Sequence, residues 1–292
     1  MTDFINNLKY KFKHAGIVEK LIYANLAVFI LVFILNTFTF LFKADSNFIV
    51  KWFAFPSNTD DFVTKPWTIV TYGFLHTSFI HLLLNLIALF FIGNLFKQYF
   101  TSKQLLNFYI LGTVLGGLIF MVSYNFFPVF ANVSKNSILL GASAGVSAIF
   151  IGIASYIPEY QVKIPLIGFI KLWVLGAIWV ALDIIQIPAG NAGGHLAHLG
   201  GSLFGFVYIN YANNKEITIF SSITDFFKKS IKKQKDTPLK TVYKSGNKPS
   251  YSSRSKSKTQ QEIDTILDKI SKSGYETLTK EEKEFLFKQG KN

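Results

Sequence analysis

Cysteine is absent from the 292 residues, so disulfides, thiol catalysis and cysteine-ligated metals are excluded, while the redox compartment stays open. No His-Glu-x-x-His string occurs either, which removes the usual helix-borne zinc-protease site, and no other metal or cofactor is expected. Charge is scarce: Asp, Glu, Lys and Arg make up 16% of the chain, against about a quarter in ordinary soluble domains. Apolar residues take its place. Half of the chain is hydrophobic and 31 residues are Phe, too apolar for a soluble domain of this size.

The apolar residues come in blocks at 21–42, 79–96, 105–127, 138–157, 166–187 and 194–211. Each is roughly 18 residues or longer, near the length a helix needs to cross a hydrocarbon core. The expected fold is therefore an all-α polytopic membrane protein with six crossings. The last block holds two His and several Gly, which are tolerated at bilayer depth where they face protein. The first block is expected to be a retained anchor, because it follows Lys9, Lys11, Lys13 and Lys20 and runs too long for a signal segment.

Lys and Arg gather on the cytoplasmic side of membrane proteins. Lys97 and Lys103, Lys163 and Lys171, and the basic tail then share a side with the N-terminal Lys cluster, so both termini are expected inside. In a bacterium this would be the plasma membrane. The long outer connection, 43–78, carries Trp52, Phe53, Phe55, Phe62, Trp67 and Tyr72, a composition suited to an ordered loop in the membrane interface.

Three groups of residues carry chemistry. Gly141-Ala142-Ser143-Ala144-Gly145 opens the fourth block; alone, such a string is equally what close helix packing requires. Gly194-His195-Leu196-Ala197-His198 opens the sixth, and intramembrane His residues mark functional sites. Ala197, Gly201 and Gly205 form a smooth stripe that matches Ala144, Ala148 and Gly152, so the two helices can pack closely. That would bring the Ser143 hydroxyl to a histidine base, the minimum for acyl transfer. His81 and Asn85, four apart on one face of the second helix, could join the Ser143 N–H as oxyanion donors; a polar contact between helices is the alternative. His76 lies in the loop just before them. Asp183, the one acid deep in the fifth block, could complete a triad, but an acid near the outer end of a helix is more often hydrated or hydrogen-bonded.

Pro66-Trp67 in a long first loop, His81-x-x-x-Asn85, Gly141-x-Ser143 and Ala197-His198-x-x-Gly201-x-x-x-Gly205, in that order, resemble the rhomboid family of intramembrane serine proteases over about residues 17–211. The resemblance implies a Ser143–His198 dyad without an acidic third member. It further implies an oxyanion site of His81, Asn85 and Ser143, and transmembrane protein substrates cut within or beside their membrane helices. It assigns the base to His198 rather than His195, which spacing leaves open. Ala144 stands where the family has Gly, Ser147 where an aromatic residue often supports the base, and Thr68 where Arg is common. A catalytically inactive rhomboid-like protein that binds membrane clients is the alternative function.

Four parts are expected: a cytoplasmic N-terminus (1–16), the six-helix domain (17–211), a basic juxtamembrane segment and linker (212–258), and a small helical hairpin (259–292). Lys228, Lys229, Lys232, Lys233 and Lys235 interleave with Phe226, Phe227 and Ile231, which fits anionic inner-leaflet lipid rather than nucleic acid. In the hairpin, Ile263, Ile266, Leu267 and Ile270 share a helical face, Gly274 stops the helix, and Thr279 with Glu282 can cap the next. Such a small apolar face fits a protein partner.

Overall fold

A computed structural model of the chain describes residue 6 and residues 10–43, 48–211 and 258–289. The chain divides into two compact units between Lys232 and Lys233. Among the described residues the first contains six helices of ten residues or more: α1 Ile17–Leu41, α2 Phe79–Lys97, α3 Ser102–Phe126, α4 Ser143–Tyr156, α5 Leu172–Gln186 and α6 Ala192–Tyr211. The basic segment around Lys228–Lys235 lies outside the described residues.

α1, α2, α3 and α5, the last counted to Ala189, are long and apolar enough to cross a membrane. The other two differ from the expected blocks. α4 has only 14 residues, about 21 Å at 1.5 Å per residue, short of a hydrocarbon core of roughly 30 Å. It starts at Ser143 rather than 138, because Ile138–Leu139 pairs as a strand, β2, with Phe55–Pro56, β1. Its shortness is tolerable because all residues from Ala144 to Ala154 are buried, so protein rather than lipid surrounds it. α6 has 20 residues, but five Gly and two His dilute its apolar character. The block expected at 166–187 loses its start to a hairpin of Gln161–Ile164 and Gly168–Lys171.

Small residues set the bundle. A Cβ on Gly201 would lie 2.0 Å from the Ala144 carbonyl oxygen, and one on Gly205 2.2 Å from that of Ala148. The numbers rise in step, so α4 and α6 run parallel with their backbones touching. α3 joins from the other side in antiparallel sense: a Cβ on Gly112 would meet the Ala148 Cβ at 2.3 Å, and one on Gly116 the Ala144 Cβ at 2.7 Å. Without a hydrophobic force between helices in lipid, such close approach supplies the dispersion contact that holds them together. The outer helices show the complementary pattern. The apolar stretches of α1 and α5 are each 17% buried, against 61% for α3, which leaves Phe33, Ile185 and Trp173 exposed where lipid tails would cover them.

From residue 48 the first loop runs in short helical turns pinned to one another. The Trp67 indole donates to the Trp52 carbonyl at 2.9 Å, and the two rings stack at 6.2 Å. Tyr72 is buried and its hydroxyl donates to the Thr113 carbonyl on α3 at 2.5 Å.

The second unit contains α7 Lys258–Ser273 and α8 Lys280–Gln289. Gly274, at φ +81°, reverses the chain between them. The Thr279 N–H donates to Glu282 Oε2 and the Glu282 N–H to Thr279 Oγ1, a reciprocal cap of the kind the spacing announces. Lys269 bonds both Glu282 oxygens at 2.9 Å, tying α7 to α8.

The seam gives a stability prediction. Gly201→Ala places a methyl against backbone that cannot swing away, and should cost on the order of 1–3 kcal/mol. Gly176→Ala meets only the Ala154 and Ile151 side chains, at 3.3 and 3.4 Å, and should cost well under about 1 kcal/mol. Thermal unfolding in detergent compares them; equal Tm values would show that α4 and α6 do not touch as described.

Candidate active site

Ser143 is the first residue of α4, and the first loop determines where that helix begins. β1 holds β2, the Gly141 N–H donates to the Tyr72 carbonyl at 3.0 Å, and the Ala142 N–H donates to His76 Nε2 at 3.3 Å. Gly141 sits at φ +122°, and a Cβ there would lie 2.7 Å from the His81 ring. Glycine is needed on both counts. Ser143 Oγ and His81 Nε2 lie 3.7 and 3.1 Å from that same point, so the turn brings serine and imidazole to one place.

His81 gets its position from Ser78, whose hydroxyl caps α2 by accepting from the His81 N–H. Asn85 lies one turn deeper, 6% exposed, and one of its amide hydrogens bonds the His81 carbonyl at 2.8 Å. His81 and Asn85 therefore share a face as their spacing requires. His81 also lies within electrostatic range of His198. The N-terminus of α4, with main-chain N–H groups that have no partner within the helix, opens at the same place.

Ser143 immediately precedes Ala144, and His198 immediately follows Ala197. Ala144 and Ala197 meet over Gly116, where a Cβ would lie 2.7 Å from both the Ala144 Cβ and the Ala197 carbonyl. Ser143 and His198 are thus each one residue away from a single three-helix contact. Among the described residues no hydrogen bond joins them, and catalytic hydrogen bonds commonly tighten only when substrate binds. Ala144 fits where its Cβ faces Gly116, which accounts for a methyl following the serine.

Asp183 is 5% exposed rather than hydrated. Its Oδ1 lies 2.8 Å from both His195 Nδ1 and His198 Nδ1. A carboxylate oxygen accepts, so each ring presents its Nδ1–H to it, and in a neutral ring so held Nε2 is the lone pair. Asp183, His195 and His198 are also the one group of His and acidic residues, among the described residues, whose ligand atoms converge. Ligands around a tetrahedral zinc stand roughly 3.3 Å apart; 2.8 Å is the spacing of a hydrogen bond.

Three features escaped the sequence. The Gly112 and Gly116 pair on α3 completes the seam, and its four-residue spacing was a visible signal. Trp179 on α5 donates through Nε1 to Ser147 Oγ at 3.1 Å, and its ring lies 6.5 Å from that of His198. An aromatic residue thus flanks His198 from another helix while Ser147 anchors it. His76, fully buried, holds the turn before Ser143, a role no motif signals.

Burial first, and then the His81 charge, lower the His76 pKa from 6.5 to about 4. The unfolded chain therefore binds that proton more readily, so stability is complete above 6.5 and is lost as pH falls from 6.5 toward 4. His76→Gln, still an acceptor but not titratable, should flatten the fall of Tm across that window. Superimposable Tm-against-pH curves for the two proteins would contradict this.

The Rhomboid domain family model matches residues 63–214, and a family of unknown function, DUF6576, matches residues 251–290. The chain is 32% identical over 174 residues to presenilin-associated rhomboid-like protein A, mitochondrial, of Danio rerio, covering 58% of this chain and 43% of that protein. It is 24% identical over 169 residues to the rhomboid protease GlpG of Yersinia pseudotuberculosis, covering 54% of this chain and 52% of that protein. The chain thus spans about half the length of the curated relatives it matches. With the family model covering 152 of its 292 residues (63 to 214 inclusive), the chain belongs to the rhomboid family.

Proposed function

We propose that the protein is an intramembrane serine endopeptidase that cleaves transmembrane or juxtamembrane segments of membrane-protein substrates, with Ser143 as nucleophile and His198 as base. The observation that supports this reading is the close approach of α4 and α6 at Ala144, Gly201 and Ala197, with Ser143 next to Ala144 and His198 next to Ala197. His198 Nε2 takes the Ser143 proton as Oγ attacks the scissile carbonyl, and later returns it to the departing amine. The negative oxygen of the tetrahedral intermediate is held by the Ser143 N–H, the His81 ring and the Asn85 amide, each donor contributing about 3 kcal/mol where it acts alone. The sequence similarity to a rhomboid protease over half the chain supports the same reaction class.

The protein is a multi-pass membrane protein, and in this reading both termini face the cytoplasm, in a bacterium beneath the plasma membrane. Residues 17–211 form the protease unit. Lys228–Lys235 hold the following segment on anionic lipid, each Lys contributing about 1 kcal/mol, and the 259–292 hairpin offers its apolar face to a protein partner.

Cleavage of a transmembrane substrate in reconstituted vesicles tests the assignment. Ser143→Ala and His198→Ala should abolish it with insertion intact, while His195→Ala keeps measurable activity. A dead His195→Ala beside an active His198→Ala would move the base. Substrate capture without cleavage by the unaltered protein would place it instead among inactive client-binding members. His81→Ala and Asn85→Ala should each lower kcat by about a hundredfold, or by less where the remaining donors compensate. Unchanged kcat in both would reduce these residues to helix packing.

A further inference from the structure

A buried carboxylate that accepts two imidazole N–H groups on one oxygen is an unusual thing to keep inside a membrane bundle. Ionised groups at such depth are costly and need partners. Asp183 is brought there from the last turns of α5, while His195 and His198 lie one turn apart on α6, with ring centroids 5.7 Å apart. Oδ1 takes both Nδ1–H groups at 2.8 Å, and Oδ2 is buried with no partner. The second carboxylate oxygen thus has no hydrogen bond through which it holds α5 to α6.

We propose that Asp183 is a positioning residue for the reaction, orienting His198 through Nδ1 and stabilising the charge that His198 acquires. The inference rests on the protease reading above. The Nδ1–H···Oδ1 bond fixes the tautomer, so that the Nε2 lone pair is the one available to Ser143. As Oγ bonds to the scissile carbonyl carbon, its proton moves to Nε2 and the imidazole becomes an imidazolium. The Nδ1 proton stays on the ring, hydrogen-bonded to Asp183, and no proton passes to the carboxylate. When the carbon–nitrogen bond breaks, the Nε2 proton leaves with the amine. His195, on the same oxygen, fixes the carboxylate from the other side. The base is thereby served by an acid from a neighbouring helix in addition to the serine–histidine pair.

The test uses the full chain, purified and reconstituted, with a fluorophosphonate probe that forms an Oγ–P bond at Ser143 as fluoride leaves. Two quantities are read separately: the fraction labelled at completion, which counts folded sites, and the rate constant of labelling, which reports the base. Asp183→Asn removes the charge and keeps the shape; Asp183→Ala removes the acceptor. Both should lower the rate constant and kcat for a transmembrane substrate together, on the order of ten- to a hundredfold, with KM within about twofold. A rate constant equal to wild type in the labelled fraction of either variant overturns the proposal, even where that fraction is small, because Asp183 would then be a structural staple. Failure of the unaltered protein to label at Ser143 would instead overturn the protease reading beneath it.

Discussion

Everything about the site depends on one contact, the α-carbon of Gly201 against the carbonyl of Ala144. Two helices whose backbones touch leave no room for side chains between them, so their rotation about each other is restricted. The residues beside the contact inherit that precision. Ser143 and His198 are such residues, and α3 closes the third side through Gly112 and Gly116. In lipid, where apolar side chains gain nothing by leaving solvent, this kind of shape fit is the force available. A rigid seam also suits chemistry, because catalytic groups work when held within a fraction of an ångström of their working geometry.

The polar groups of the site follow from the same constraint. A short α4 can begin inside the bundle only if the turn before it finds partners for its main-chain N–H groups. The first loop supplies them: the Tyr72 carbonyl for Gly141, His76 for Ala142, and the β1–β2 pair just upstream. The loop that appears in the sequence as a long aromatic connection is therefore the scaffold of the serine turn. On the other side Asp183 supplies the acceptor that two intramembrane imidazoles need, and Trp179, tied to Ser147, flanks the ring of His198.

Much of this was legible in the residues, and the limits were physical ones. Six apolar blocks gave the six helices, and the matched stripes at Ala144, Ala148 and Gly152 and at Gly201 and Gly205 were visible as four-residue repeats. Hydropathy could not show that α4 is too short to cross on its own, because a buried helix and a lipid-facing helix are equally apolar. Nor could it show that 161–171 folds back as a hairpin, since apolar residues there continue into α5. Asp183 was visible as a possible third member, but its partners were not, because it joins two helices through a single acid with no motif around it. Its place near a helix end suggested an acid either hydrated or hydrogen-bonded; it is hydrogen-bonded and buried, with α6 packed across it. The Thr279–Glu282 cap, by contrast, is purely local, and spacing was enough to find it.

The proposed chemistry requires Ser143 and His198 to be neighbours across the α4–α6 seam. A mechanism-based isocoumarin tests that adjacency directly: it acylates a serine and then exposes an electrophile that a histidine within reach traps, leaving a covalent bridge. Digestion and peptide mass spectrometry of the protein treated in vesicles should find Ser143 and His198 joined through one inhibitor molecule. A bridge from Ser143 to His195, or an adduct on Ser143 alone under conditions where bridging goes to completion on a soluble serine protease, would contradict the arrangement on which the whole reading depends.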